Sequence, residues 1–280
     1  MYRIGASSSG APIGEAKMAD YAANGITDME ISEHYYTDYD YRGVRALADR
    51  FSVNLWSLHL PFWGGLDISS PDSEKRESSL ETHFDIIRRA SDIGIDKFVI
   101  HPSSEPVPDD RRSEHMKCAQ QSLARLAELA EHCGAIICAE DLPRSCISNS
   151  IANMQLLLSA DERLKACVDT NHITAEPPQQ LIRALGGKIA TLHVSDFDFI
   201  NERHWLPGEG KIDWPEVLRA LDEVGYNGVW MYELGFECPK TIYRDRDLTC
   251  ADLSRNAHEL FAGERPTVIS RPKPNLGMWE

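Results

Sequence analysis

Short apolar runs recur along the chain, and each is followed by a longer stretch in which apolar side chains return every three to four positions. The runs are "YRIGA", "DMEIS", "LWSLHL", "KFVIH", "IICAE", "KACVD", "IATLH" and "GVWMYEL". Their length and nearly unbroken apolar character predict strands buried on both faces. The stretches between them predict amphipathic helices. Between "KFVIH" and "IICAE", Met116, Ala119, Leu123, Leu126, Ala130 and Cys133 fall on one stripe of a helix that stops at Gly134. "AKMADYAANG", "HFDIIRRASDIG", "QQLIRALGG" and "WPEVLRALDEVG" also end at glycine, and Pro215 stands at a helix start that Asp213 is suited to cap.

Strand and helix in alternation specify an α/β fold with a parallel sheet covered by helices. Eight such units fit a closed (β/α)8 TIM barrel, typically about 250 residues long, here a single domain over residues 1–262. A doubly wound open sheet is the rival, but "GASSSGAP" in the first turn lacks the spaced glycines of a dinucleotide site. The tail 263–280, "GERPTVISRPKPNLGMWE", carries prolines without periodicity and reads as an extended surface segment.

A barrel of this kind brings the C-terminal ends of all its strands to one mouth. Read in order, those ends carry Glu30, His59, His101, Glu140, Asp169 with His172, His193, and Glu233. One polar strand end is most often a solvated terminus, whereas so many at the same level point to chemistry. Glu140, Asp169, His193 and Glu233 come from strands five to eight, which are consecutive around the barrel. Three carboxylates and one imidazole form an oxygen-rich donor set suited to Mn, Mg, Co or Zn, which ligand softness does not separate. Carboxylates this close repel one another and take up protons unless a cation joins them.

Composition narrows the partners. The chain has 280 residues, 42% hydrophobic and 26% charged, with a formal net charge of −15. That is ordinary globular composition, and the negative balance makes nucleic acid an unexpected partner. The N-terminus lacks a signal-peptide pattern and no run approaches the length of a membrane span, so a soluble cytoplasmic protein is expected. The seven cysteines form no CxxC pair, which disfavours disulfide or zinc-finger frameworks, and Cys138 and Cys167 read as small core residues.

"ICAEDLPR", "CVDTNH", "LHVSDFD…ERHWLPGEGKIDW" and "YEL", in this order at successive strand ends, resemble the xylose isomerase-like barrels of the sugar phosphate isomerase/epimerase family, which includes endonuclease IV. The resemblance implies one divalent metal ion held by Glu140, Asp169, His193 and Glu233. It implies further that Glu140 and Glu233 face the substrate from opposite sides as catalytic acid and base, and that His172 contacts the substrate. His59, His101 and His204 are expected as further substrate contacts or as ligands of additional ions. The implied activity is isomerisation or epimerisation of a small sugar, polyol ketone or hydroxy-keto acid through an enediolate, a role in carbohydrate metabolism. An inosose-type dehydratase would reuse that intermediate, and an endonuclease IV-like phosphodiesterase is the alternative. A non-enzymatic relic is disfavoured by the intact ligand set. The partner expected is a small carbohydrate-type molecule, with a homo-oligomer left open and no membrane.

Two departures bear on this expectation. Phe199 stands where many ketose 3-epimerases carry an arginine, and Glu202 with His204 stands where endonuclease IV has Asp-x-His. "PGEG", residues 207–210, reads either as a turn feeding the next helix or as a loop covering the mouth. Trp56 and Trp63 flank the third strand and either reads as core, although Trp63, beside Gly64 and Gly65, also suits a wall for a sugar's apolar face. Asp196 and Asp198 read as supporting or solvated loop acids rather than ligands.

Overall fold

A computed structural model describes residues 1–8, 12–32 and 39–278 of the chain. Each predicted strand forms: β1 Arg3–Ser7, β2 Asp28–Ile31, β3 Asn54–His59, β4 Lys97–Ile100, β5 Ile136–Glu140, β6 Lys165–Asp169, β7 Ile189–His193 and β8 Val229–Tyr232. They pair in parallel in the order β7-β6-β5-β4-β3-β2-β1-β8. The ring closes through Val194, whose N–H donates to the Met231 carbonyl at 2.8 Å and whose carbonyl accepts from Glu233 N at 3.2 Å. Closure removes the exposed sheet edge, and every strand is packed on two faces, which the apolar runs require. Val99, Cys138 and Cys167 fill the barrel interior, both cysteines fully buried.

Helices α1 Glu15–Ala23, α2 Tyr41–Phe51, α3 Ser73–Ser91, α4 Arg112–His132, α5 Ile151–Leu158, α6 Pro178–Leu185, α7 Trp214–Glu223 and α8 Cys250–Phe261 cover the sheet. Ala119, Leu123, Leu126 and Ala130 of α4 are buried along the predicted stripe. The chain leaves α4 through Gly134 at φ +70°, a backbone region that costs other residues about 1–2 kcal/mol. Asp213 caps α7 by accepting from Glu216 N at 3.2 Å, with Pro215 in the first turn. No described helix is long and apolar enough to cross a membrane.

The tail does more than lie extended. Strand β10, Ser270–Pro272, pairs antiparallel with β9, Ile242–Arg244. Beyond it the Gly277 carbonyl accepts from Arg203 at 2.6 Å, which fastens the tail to the loop after β7. Three-residue strands leave no periodicity to read. Residues 279 and 280, and residues 9–11 of the first turn, lie outside the described residues.

Candidate metal centre and substrate cavity

Glu140, Asp169 and His193 are the last residues of β5, β6 and β7, and Glu233 directly follows β8. Parallel register at the barrel mouth brings their side chains together, with donor atoms within 4.8 Å of one another. His193 Nδ1 lies 2.8 Å from Glu140 Oε1, 3.2 Å from Glu233 Oε2 and 4.0 Å from Asp169 Oδ2. Asp169 Oδ2 is buried without a hydrogen-bond partner among the described residues. Burial, and then the carboxylates of Glu233 and Glu140, push the Asp169 carboxyl well above its ordinary range. Burial opposes ionisation of Glu140 as well, but His193, His101 and His59 outweigh it and hold that carboxyl low. Glu233 is likewise held low against burial, chiefly by His193. A buried acid facing two others is unfavourable until positive charge arrives, so this donor set fits a divalent cation.

Three histidines of the mouth, His59, His172 and His204, are held through Nδ1. Nδ1 of His59 donates to the Leu60 carbonyl at 2.8 Å, and Nδ1 of His172 to the Asp141 carbonyl at 2.7 Å. Nδ1 of His204 lies 3.1 Å from the Glu233 carbonyl. Anchoring Nδ1 in this way turns Nε2 toward the mouth, an arrangement common among metal ligands. Thus His59 Nε2 faces Glu140 Oε2 at 3.1 Å, and His172 Nε2 faces Glu202 Oε2 at 3.5 Å. Two further groups result, His59 with His101 and Glu140, and His172 with Glu202 and His204, each with donors within 4.8 Å.

These side chains border a cavity of about 590 Å³, which His59, His101, His172 and His204 line together with Glu140 and Glu233. Its aromatic wall is Phe62, 41% exposed, whose ring stacks on His101 at 3.9 Å between centroids. Trp63 packs half-buried against the core instead, and Trp56 lies under Lys97, whose Nζ is 3.9 Å from its ring centroid. The sequence signals missed Phe62, Glu105 and Arg144. Arg144, in the left-handed region at φ +49°, spans three loops of the mouth. Its guanidinium meets Glu105 in two-pronged fashion at 2.7–3.0 Å, Asn201 Oδ1 at 2.8 Å and Glu202 Oε1 at 3.0 Å.

The covering role for residues 207–210 is not met: none of them lines the cavity. The segment is a knot tied around Asp196, which accepts from Phe197 N, Gly208 N, Ile212 N and Trp214 Nε1 at 2.8–3.1 Å. A Cβ at Gly210 would stand 2.2 Å from Asp196 Oδ1, so only glycine fits. Glu209 is buried in an ion pair with Arg244 at 2.9 Å. Asp198 binds Ile200 N at 2.9 Å and Arg203 at 3.0 Å, and so shapes the loop.

Comparison with known proteins identifies the family and the fold. A family model described as xylose isomerase-like TIM barrel matches residues 17–247. The chain is 26% identical over 205 residues to D-psicose 3-epimerase of Ruminiclostridium cellulolyticum, covering 69% of this chain and 68% of that protein. It is 32% identical over 121 residues to fructoselysine 3-epimerase of Escherichia coli O157:H7, a match spanning 41% of this chain and 44% of that enzyme. Among solved structures, a D-tagatose 3-epimerase-like protein superposes with a TM-score of 0.79 at 23% identity, covering 93% of this chain and 97% of that one, a likeness of fold.

Proposed function

The chain belongs to the xylose isomerase-like TIM barrel family, and on that premise we propose that it is a divalent-metal-dependent sugar epimerase. The reaction inverts a carbon beside a ketose carbonyl by removing its proton and returning one to the opposite face. Glu140, Asp169, His193 and Glu233 would hold a Mn, Mg, Co or Zn ion, which when bound would polarise the carbonyl and offset the charge of the enediolate. One observation carries the reading. Glu140 and Glu233 line the cavity, whereas Asp169 and His193 stay out of its lining. Two carboxylates therefore face the substrate space as proton acceptor and donor, and general acid-base catalysis of this kind contributes roughly 10²–10⁴-fold. His172 and His204 stand within reach of substrate hydroxyls, and Phe62 offers an apolar face.

The mouth also speaks to substrate charge. Arg144 is the arginine of the lining, no described lysine joins it, and it is occupied by Glu105 and Glu202. The four carboxylates of the lining outnumber this one guanidinium, which favours an unphosphorylated ketose as substrate. With metal-loaded protein in D₂O, free ketoses should gain deuterium at the carbon next to the carbonyl. Exchange confined to phosphorylated sugars would overturn the substrate class, and no exchange across a broad ketose panel would overturn the reaction.

The two flanking histidine groups favour a second reading, in which the mouth takes up three ions as an endonuclease IV-like phosphodiesterase. The net charge of −15 and the acidic lining oppose a polyanionic substrate. Metal counting separates the two: one ion per chain supports the epimerase, and three zinc ions with nicking of abasic DNA support the nuclease. Loss of water from an inosose-type ketone, in place of inversion, would identify the dehydratase.

A further inference from the structure

Glu30 stands apart from the four proposed ligands and from the lining of the substrate cavity, yet it is among the most deeply buried acids of the barrel, with no exposed side-chain surface. A register shift between Met29 and Glu30 in β2 sets it opposite Ser57 of β3. Ser57 Oγ donates to Glu30 Oε2 at 2.8 Å. Both carboxylate oxygens then reach His193 Nε2, at 3.0 and 3.1 Å. His193 is itself wholly buried, and its Nδ1 points at Glu140, Glu233 and Asp169.

Each ring nitrogen of His193 thus meets a carboxyl group, Nε2 that of Glu30 and Nδ1 that of Glu140 at 2.8 Å. A cation joining the carboxylates of Glu140, Asp169 and Glu233 would take Nδ1 in place of that contact, and Nε2 would then keep its proton, directed at Glu30. We infer that Glu30 is a positioning residue that sets the ring orientation and tautomer of His193, and thereby the affinity of the mouth for a divalent ion. The inference rests on the metal-centre reading but not on the identity of the substrate. A buried anion behind an imidazole also raises its basicity as a ligand, and loss of such partners typically costs 10–100-fold in metal affinity. If Glu30 only fills space between β2 and β3, metal affinity ignores its charge.

Zinc binding by the full chain, measured by chelator competition without substrate, tests this. Glu30→Gln keeps the shape and an acceptor oxygen but removes the charge, and should weaken zinc roughly 10-fold; Glu30→Ala also frees the ring and should weaken it roughly 100-fold. Circular dichroism confirms that the fold is retained. Affinities within twofold of wild type in both variants would overturn the inference. Should Glu30→Gln fail to fold, proton NMR of the zinc-loaded wild type decides: a slowly exchanging His193 Nε2–H with cross-peaks to Ser57 supports it, and a freely exchanging one overturns it. If zinc affinity follows Glu30 while no ketose exchanges deuterium, only the proposed reaction fails.

Discussion

Asp196 and Asp169 are both buried carboxylates near the ends of neighbouring elements, and their surroundings are opposite. Burial raises the Asp196 carboxyl, but its next neighbours are donors, Trp214 Nε1 and the amides of Gly208, Ile212 and Phe197, all of which favour the charge. For Asp169 the next largest influences after burial are Glu233 and Glu140, which raise it further. The loop that holds Asp196 is a finished structure. The mouth that holds Asp169 gathers acids in place of amide donors, the pattern expected where a fold trades stability for chemistry.

The comparison breaks most visibly at turnover. Glu140→Gln and Glu233→Gln should each lower deuterium exchange at least 10²–10⁴-fold with an unchanged circular dichroism spectrum; a near-wild-type rate in either would remove that residue from acid-base work. Asp196→Ala should instead strike the fold, by about 3–5 kcal/mol, because several buried donors are left unsatisfied at roughly 1–3 kcal/mol each. Denaturant melts measure this, and metal bound per folded molecule should stay at the wild-type level. Asp169→Asn should move the other way, stabilising the metal-free protein by about 1 kcal/mol while abolishing tight metal binding.

The sign of a pH effect sharpens the same contrast. An acid whose folded value is raised contributes stability below its unfolded value and loses it as pH rises toward the folded one. Metal-free wild type should therefore lose stability relative to Asp169→Asn from about pH 4 upward, and metal should erase the difference. A flat difference curve would place Asp169 outside the charge conflict. The smallest effect belongs to the rim: Arg144→Lys gives up the two-pronged contact with Glu105, costs about 1 kcal/mol or less, and should appear in KM more than in kcat.

The strands and the polar residues ending them were legible in the sequence because parallel strands buried on both faces read as unbroken apolar runs with abrupt polar ends. "IICAE" and "KACVD" are clear cases, ending in Glu140 and Asp169. Residues whose place is set by loop conformation were not legible. Arg144 reaches the mouth through a left-handed backbone, and Phe62 rather than Trp63 turns inward, which no periodicity announces. "PGEG" resembled a cover because glycines mark both mobile loops and crowded turns; Gly210 is there for lack of room beside Asp196. Glu30 was visible as a strand end, but its partnership with His193 crosses the barrel and depends on the register shift between β2 and β3, where Trp56 is the extra residue.

Crystals of the full chain soaked in manganese, with anomalous scattering recorded at the manganese edge, test the convergence most directly. The expected result is a peak coordinated by Glu140, Asp169, His193 Nδ1 and Glu233. A strong peak elsewhere, or none with these four side chains well ordered, would contradict it.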